Sequence, residues 1–147
     1  MNRREALKVA GSAAAGATLL ATPAFAQEHK FHKHVQIANV NEDLVAEALA
    51  CSRTGEACLR VCFDVLAMGD TSMAACAESV RELVIACDAL AGMATHDSKH
   101  LKTYAGVTAK ICAECREQCM KHKEHSQCLD CANACESCIE ACNEYTA

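Results

Sequence analysis

At 147 residues, with 52% hydrophobic but only 3% aromatic residues, the chain has the length of one modest domain without an aromatic core. Its formal net charge of −5 argues against nucleic-acid partners and against anionic membrane surfaces. Thirteen cysteines in so short a chain leave a disulfide scaffold or a metal-binding interior as the classes to separate.

MNRREALK opens the sequence, with Arg3 and Arg4 adjacent and Leu7 and Lys8 close behind. An apolar run extends from Val9 to about Ala21, and Ala24-Phe25-Ala26 has the small-x-small form of a cleavage site. The run is short and ends in that site, so residues 1–26 are expected to be a signal peptide and not a membrane span. The arginine pair resembles a twin-arginine signal, which carries folded proteins into the periplasm. The same cues also suit an ordinary secretory signal. The leader has a net charge of +2, from Arg3, Arg4 and Lys8 against Glu5, so its removal takes the net charge from −5 to −7. All 13 cysteines stay in the 121 residues that remain. Nothing after residue 26 is long and apolar enough to cross a bilayer, so no membrane partner is expected. Residues 27–40, with His29, His32 and His34, read as a flexible arm able at most to bind Cu(II) weakly.

The region 41–147 predicts an all-α fold, an antiparallel four-helix bundle. The only proline is Pro23, and four glycines, Gly55, Gly69, Gly92 and Gly106, are all that interrupt the chain beyond the leader. Asn41 can cap a first helix that opens with Glu42 and Asp43 and runs to Met68, ending at Gly69. Asp70 or Thr71 can cap a second to about Ala94, and Asp97 or Ser98 a third to about His122. Ser126 can cap a fourth to about Tyr145. Short connections predict antiparallel neighbours.

Each helix carries a seam of steps of three and four, which return to one helical face. The first reads Leu44, Ala48, Cys51, Gly55, Cys58, Cys62, Val65, and the second Met73, Cys76, Val80, Leu83, Cys87, Leu90, Ala94. The third reads Leu101, Ala105, Thr108, Cys112, Cys115, Cys119, His122, and the fourth Cys128, Cys131, Cys135, Cys138, Cys142, Tyr145. Every cysteine lies on a seam. Seam positions point into the centre of a bundle, so all 13 sulfurs are expected in one interior.

Cysteine as a small core hydrophobe accounts for one or two such positions, not for four seams. Disulfides suit an oxidising destination. Against them stand the odd number of cysteines and the placement of successive ones on a single helix, where bonding geometry is rare. Zinc wants four ligands, usually from two CxxC pairs, and CxxC occurs at Cys112/Cys115, Cys128/Cys131 and Cys135/Cys138. The cysteines nevertheless continue past those pairs along the stripes. Ferredoxin-type runs end in Cys-Pro, which is absent. Cu(I), a soft ion that accepts two or three sulfurs and shares bridging thiolates, fits the stripes best. One Cu(I) displacing one thiol proton leaves the core neutral, which sets a capacity on the order of 13 ions per chain. A zinc or other soft-metal detoxification protein and a disulfide-stapled structural bundle stay as alternatives. No Ser-His-Asp pattern, phosphate loop or strand-borne CxxC supports catalysis, so the chain is expected not to be an enzyme.

EACLRVCFDVLAMGDTSMAAC in the first two helices and the CxxCxxxC repeats of the last two resemble the copper storage protein family, over nearly the whole region beyond the leader. The resemblance implies bulk Cu(I) storage along the core of a bundle, held by cysteine pairs, and a homotetramer. It also implies, in exported members, a histidine just before the last cysteine of the first helix, where this chain has Val61.

Antiparallel order gathers Met68, Met73, Met120, His122 and His125 at one end, and Leu44, Leu90, Leu101 and Tyr145 at the other. Thioether and imidazole suit capture and hand-on of copper, so the methionine end is the expected mouth. Met73 filling a core gap and solvated histidines are the plain alternative. Met93, His96 and His100 fall near the far end, the histidines as surface. The metal ligands expected are therefore the 13 cysteines, with Met68, Met73, Met120 and His122 at the mouth. A copper donor or acceptor protein is implied. Val45, Leu49, Leu59, Phe63 and Leu66 widen the apolar face of the first helix, which predicts self-association.

Overall fold

The computed structural model describes residues 41–147; the expected leader and the histidine arm lie outside them. Four helices follow in order: α1 Glu42–Ala67, α2 Ala74–Thr95, α3 Leu101–Met120 and α4 Ser126–Thr146. Each packs against two neighbours, α1 on α2 and α4, and α3 on α2 and α4, which is the square of an up-down-up-down bundle. The described residues contain no strand, and no helix among them is long and apolar enough to cross a membrane.

The helix ends show where local chemistry wins. Gly69, at φ 83°, takes the left-handed turn that stops α1, a conformation most side chains resist. Asp70 does not cap α2. Its carboxylate accepts the Ser72 N–H at 2.9 Å in a side-chain turn, and α2 begins later, at Ala74. Ser98 likewise turns the chain ahead of α3, its hydroxyl accepting the His100 N–H at 3.3 Å while its carbonyl accepts from Leu101 at 2.8 Å. Asn41 precedes α1 but makes no cap bond. Its side-chain amide donates to the Ala94 carbonyl at 3.2 Å, tying the start of α1 to the end of α2.

Two contacts set the α1–α2 pair. Ser52 Oγ donates to Asp88 Oδ1 at 2.6 Å beside the seam. Gly55 lies on the seam itself, where an added Cβ would sit 2.9 Å from Val84 Cγ2 and 3.4 Å from Leu83 Cδ2. Val84 is β-branched and stiff at χ1, so it cannot swing clear. At Gly106, within α3, nothing lies within 4 Å of an added Cβ.

The two glycines should therefore respond oppositely to alanine. Overpacking costs about 1–3 kcal/mol, more than the roughly 1 kcal/mol of helix propensity that Ala gains over Gly. Gly55→Ala should lower the melting temperature of the reduced protein, read by circular dichroism, while Gly106→Ala should raise it by several degrees. A rise in both would show that α1 and α2 are free to separate at Gly55.

Candidate metal centre

The helical repeat delivers the sulfurs to one place. Cys51, Cys58 and Cys62 project from α1, Cys76 and Cys87 from α2, Cys112, Cys115 and Cys119 from α3, and Cys128, Cys131, Cys135, Cys138 and Cys142 from α4. All 13 are fully buried and none is in a disulfide. The column is closed at one end by Leu44, Leu90, Leu101 and Ala94. At the other end Met73 is buried over it, at 1% exposure.

The sulfurs fall into sets whose Sγ atoms lie within 4.8 Å of one another: Cys58/Cys76/Cys128, Cys58/Cys119/Cys131, Cys115/Cys131/Cys135 and Cys51/Cys87/Cys112/Cys138. Cys58 belongs to two sets, and so does Cys131. Among the hydrogen-bonded pairs, Cys58 to Cys128 is 3.5 Å and Cys76 to Cys119 is 3.8 Å. Cys58 to Cys119 and Cys115 to Cys119 are 3.9 Å, and Cys51 to Cys135 is 4.0 Å. A soft ion about 2.3 Å from each of three sulfurs in a plane needs them about 4 Å apart. The sulfurs thus stand close to ligating distance before any ion arrives, and the shared members allow one thiolate to bridge two ions. Cys62 and Cys142 extend the column at its two ends, outside these sets.

The other expected ligands are placed less uniformly. Met120 is half-buried at the end of α3 and packs on the core. His122 is largely covered and lies 4.0 Å from the Glu124 carboxylate. Met68 is 77% exposed and stands outside the column. Val61 is half-buried on the flank of α1.

Electrostatics divide the thiols. Cys51 is pushed down to about 5 by its hydrogen bonding with Cys112 and Cys135. Cys115 lies well below the usual thiol range through its hydrogen bonding with Cys119, Cys131 and Cys135, with a smaller contribution from the Ser79 hydroxyl. Cys138 is lowered likewise by Cys112, Cys142 and Cys51. Their partners move the other way. Cys87 is pushed well up by its bonds to Cys112, Cys138 and Cys51, and Cys142 by Cys138 and then by burial. Burial first and the nearby Cys58 second raise Cys62 and Cys128. Thiols that share hydrogen bonds thus shift in opposite directions, one releasing its proton more readily as its partner holds on more tightly. Ser79 sits off the seam, half-buried on α2, and nothing in the spacing of the cysteines marks it.

Residues 37–147 match the sequence profile of the copper storage proteins. The chain belongs to the copper storage protein family. No curated protein sequence matches it, but solved structures of the family do. The Cu(I)-bound copper storage protein BsCsp3 superposes with a TM-score of 0.67 at 27% identity, covering 73% of this chain and 98% of that one. The apo copper storage protein 3 from Bacillus subtilis superposes with a TM-score of 0.65 at 26% identity, covering 73% and 99%. Membership in the copper storage family points to storage and away from turnover. The sulfur column, with its shared thiols, is the feature of this member that a store requires.

Proposed function

We propose that this chain stores Cu(I) along the axis of its bundle, as an exported and self-associating reservoir that a partner protein fills and empties. The observation that carries the reading is the column of 13 buried, free thiols with shared members. The 13 cysteines are the ligands. A thiolate away from water is costly, and a Cu(I) that replaces each proton leaves the core as neutral as it began. Soft, sulfur-only surroundings favour Cu(I) over hard cations.

Cu(I) passes through the end that carries Met73, Met120 and His122, with Met68 as an outer thioether exposed to an incoming donor. The support is the contrast between the ends. One is closed by a single flexible thioether, the other by packed leucines and the Asn41 tie. With Val61 where a histidine is expected, capture falls to the thioethers and His122. Export rests on the arginine-paired leader, ahead of residue 37 where the family match begins. Self-association, as a tetramer, is supported by the outer α1–α2 face. Leu49, Phe63 and Ile85 are 51%, 55% and 57% exposed there. Leu59, by contrast, is buried in the groove between the helices.

Titration of reduced, anaerobic protein with Cu(I) against a strong chelator should saturate at about 13 ions per chain, releasing about one proton per ion. Since protons compete for thiols held above their usual range, affinity should fall as pH falls, by roughly tenfold per unit for one proton exchanged. Six disulfides and one thiol in freshly exported protein would remove the store. Replacing Met68, Met73 and Met120 by leucine should slow loading and chelator-driven removal while leaving capacity intact. Loading that is unchanged there, but faster when Leu44, Leu101 and Tyr145 are cut to alanine, would move the mouth to the other end. Sedimentation at micromolar concentration should give a tetramer, reduced to monomer by Leu49→Glu with Phe63→Glu. A wild-type monomer, apo and loaded, would rule assembly out.

A further inference from the structure

One set of sulfurs differs from the rest. Cys51, Cys87, Cys112 and Cys138 come one from each helix, and their four Sγ atoms all lie within 4.8 Å of one another. None of them belongs to the three-sulfur sets. A tetrahedron of sulfurs about 2.3 Å from a central ion has edges of about 3.8 Å, so no edge has to shorten by more than roughly 1 Å. Four sulfurs in that arrangement suit zinc better than they suit Cu(I), which needs only two or three.

A second observation lies one helical turn from this cage. Thr108 is fully buried, and its hydroxyl has no hydrogen-bond partner. A helical threonine ordinarily turns back to the carbonyl four residues before, as Thr95 does to Ala91 at 2.8 Å. Thr108 does not, and an orphaned hydroxyl in a core is costly. It stands one turn before Cys112 on the same face of α3, on the leucine-closed side of the cage. Four thiolates around a divalent ion carry a net charge of −2 in a site without water. Such a site gains from a donor that has nothing else to bond.

We propose that Cys51, Cys87, Cys112 and Cys138 form a single tetrahedral site for a divalent soft ion, zinc by preference, in the copper-free protein, with the Thr108 hydroxyl as a positioning donor to its sulfurs. Binding releases thiol protons to solvent and changes no oxidation state. Because each helix gives one ligand, the ion cross-links all four and stabilises the reduced bundle. The site shares its ligands with the copper reading and does not depend on it.

Co(II) is the probe, since tetrahedral cobalt thiolate absorbs strongly in the visible while octahedral cobalt scarcely does. Titrating the reduced, anaerobic full chain should give tetrahedral bands that saturate at one Co(II) per chain, and one Zn(II) should bleach them. Cys138→Ser and Cys87→Ser should each abolish the bands, and Cys128→Ser should keep them, all with wild-type helical circular dichroism. Thr108→Val should weaken Zn(II) binding about tenfold or more while leaving Cu(I) capacity unchanged. An octahedral spectrum, several equivalent sites, or equal loss in Cys128→Ser would overturn the cage. Unchanged Zn(II) affinity in Thr108→Val would overturn the role of the hydroxyl. Cu(I) titration of the same preparation keeps the two readings apart: failure of the cobalt site with full copper capacity refutes this inference alone.

Discussion

A sulfur anion shut away from water needs a proton or a soft cation, and the rest of this structure follows from that constraint. Thirteen bare thiolates in one dry column would cost far more than a domain of this size has in stability. The copper-free column can exist because its sulfurs keep their protons and share them in thiol hydrogen bonds, as Cys58 does in donating to Cys128 at 3.5 Å. The loaded column can exist because a monovalent soft cation replaces a proton without changing the charge. A divalent ion in every position could not do so. A dication belongs where several sulfurs converge on it at once, and among the described sets only Cys51, Cys87, Cys112 and Cys138 offer four.

The same constraint divides labour between helix pairs. α2 gives only Cys76 and Cys87 to the column and fills the space between them with Val80, Leu83 and Val84, all buried. Gly55 lets α1 settle against those side chains. With Leu44, Leu90 and Leu101 at the closed end, this aliphatic half supplies the hydrocarbon burial that holds the bundle together, at about 25 cal/mol per Å² of apolar surface. α3 and α4 carry most of the sulfur and few large aliphatic side chains on their seams. A core wholly of cysteine would lack shape and burial; a core wholly of leucine would hold no metal.

Much of this was legible in the sequence because period and breakers act locally. Steps of three and four without proline put each cysteine on one face whatever the partner helix does, and all 13 are buried as the seams required. The helix starts were less legible. Asp70, Ser98 and Asn41 each have chemistry that suits a cap and something else equally well, and tertiary context chose the turn or the tie. The sharing of Cys58 and Cys131 between sets, and the four-sulfur convergence, were not legible at all. They depend on the axial offset between helices, which loop geometry and the close approach at Gly55 determine. Met68 shows the same limit. Its place one residue past α1 suggested the mouth of the column, but a residue outside a helix has no face, and its side chain stands in solvent.

α4 shows how the offset becomes a path. Each of the four sulfur sets includes at least one cysteine of α4: Cys128, then Cys131, then Cys131 with Cys135, then Cys138. Along a helix, steps of three and four residues advance about 4.5 and 6 Å, and the stripe from Cys128 to Cys142 takes such steps without an aliphatic interruption. No other helix does this over the whole column. α1 has Gly55 between Cys51 and Cys58, α2 has a long aliphatic stretch between its two cysteines, and α3 carries sulfur only from Cys112 to Cys119. An ion moving along the axis therefore always has an α4 sulfur ahead of it at about the distance it must travel. The other three helices supply the second and third ligands that hold it at each stop. Exchange along such a rail would be associative: the next sulfur would bind before the last lets go, so the ion would never stand bare in a core without water. A continuous rail on one helix, with interrupted partners around it, meets that requirement while leaving the partners free to carry the aliphatic side chains the fold needs.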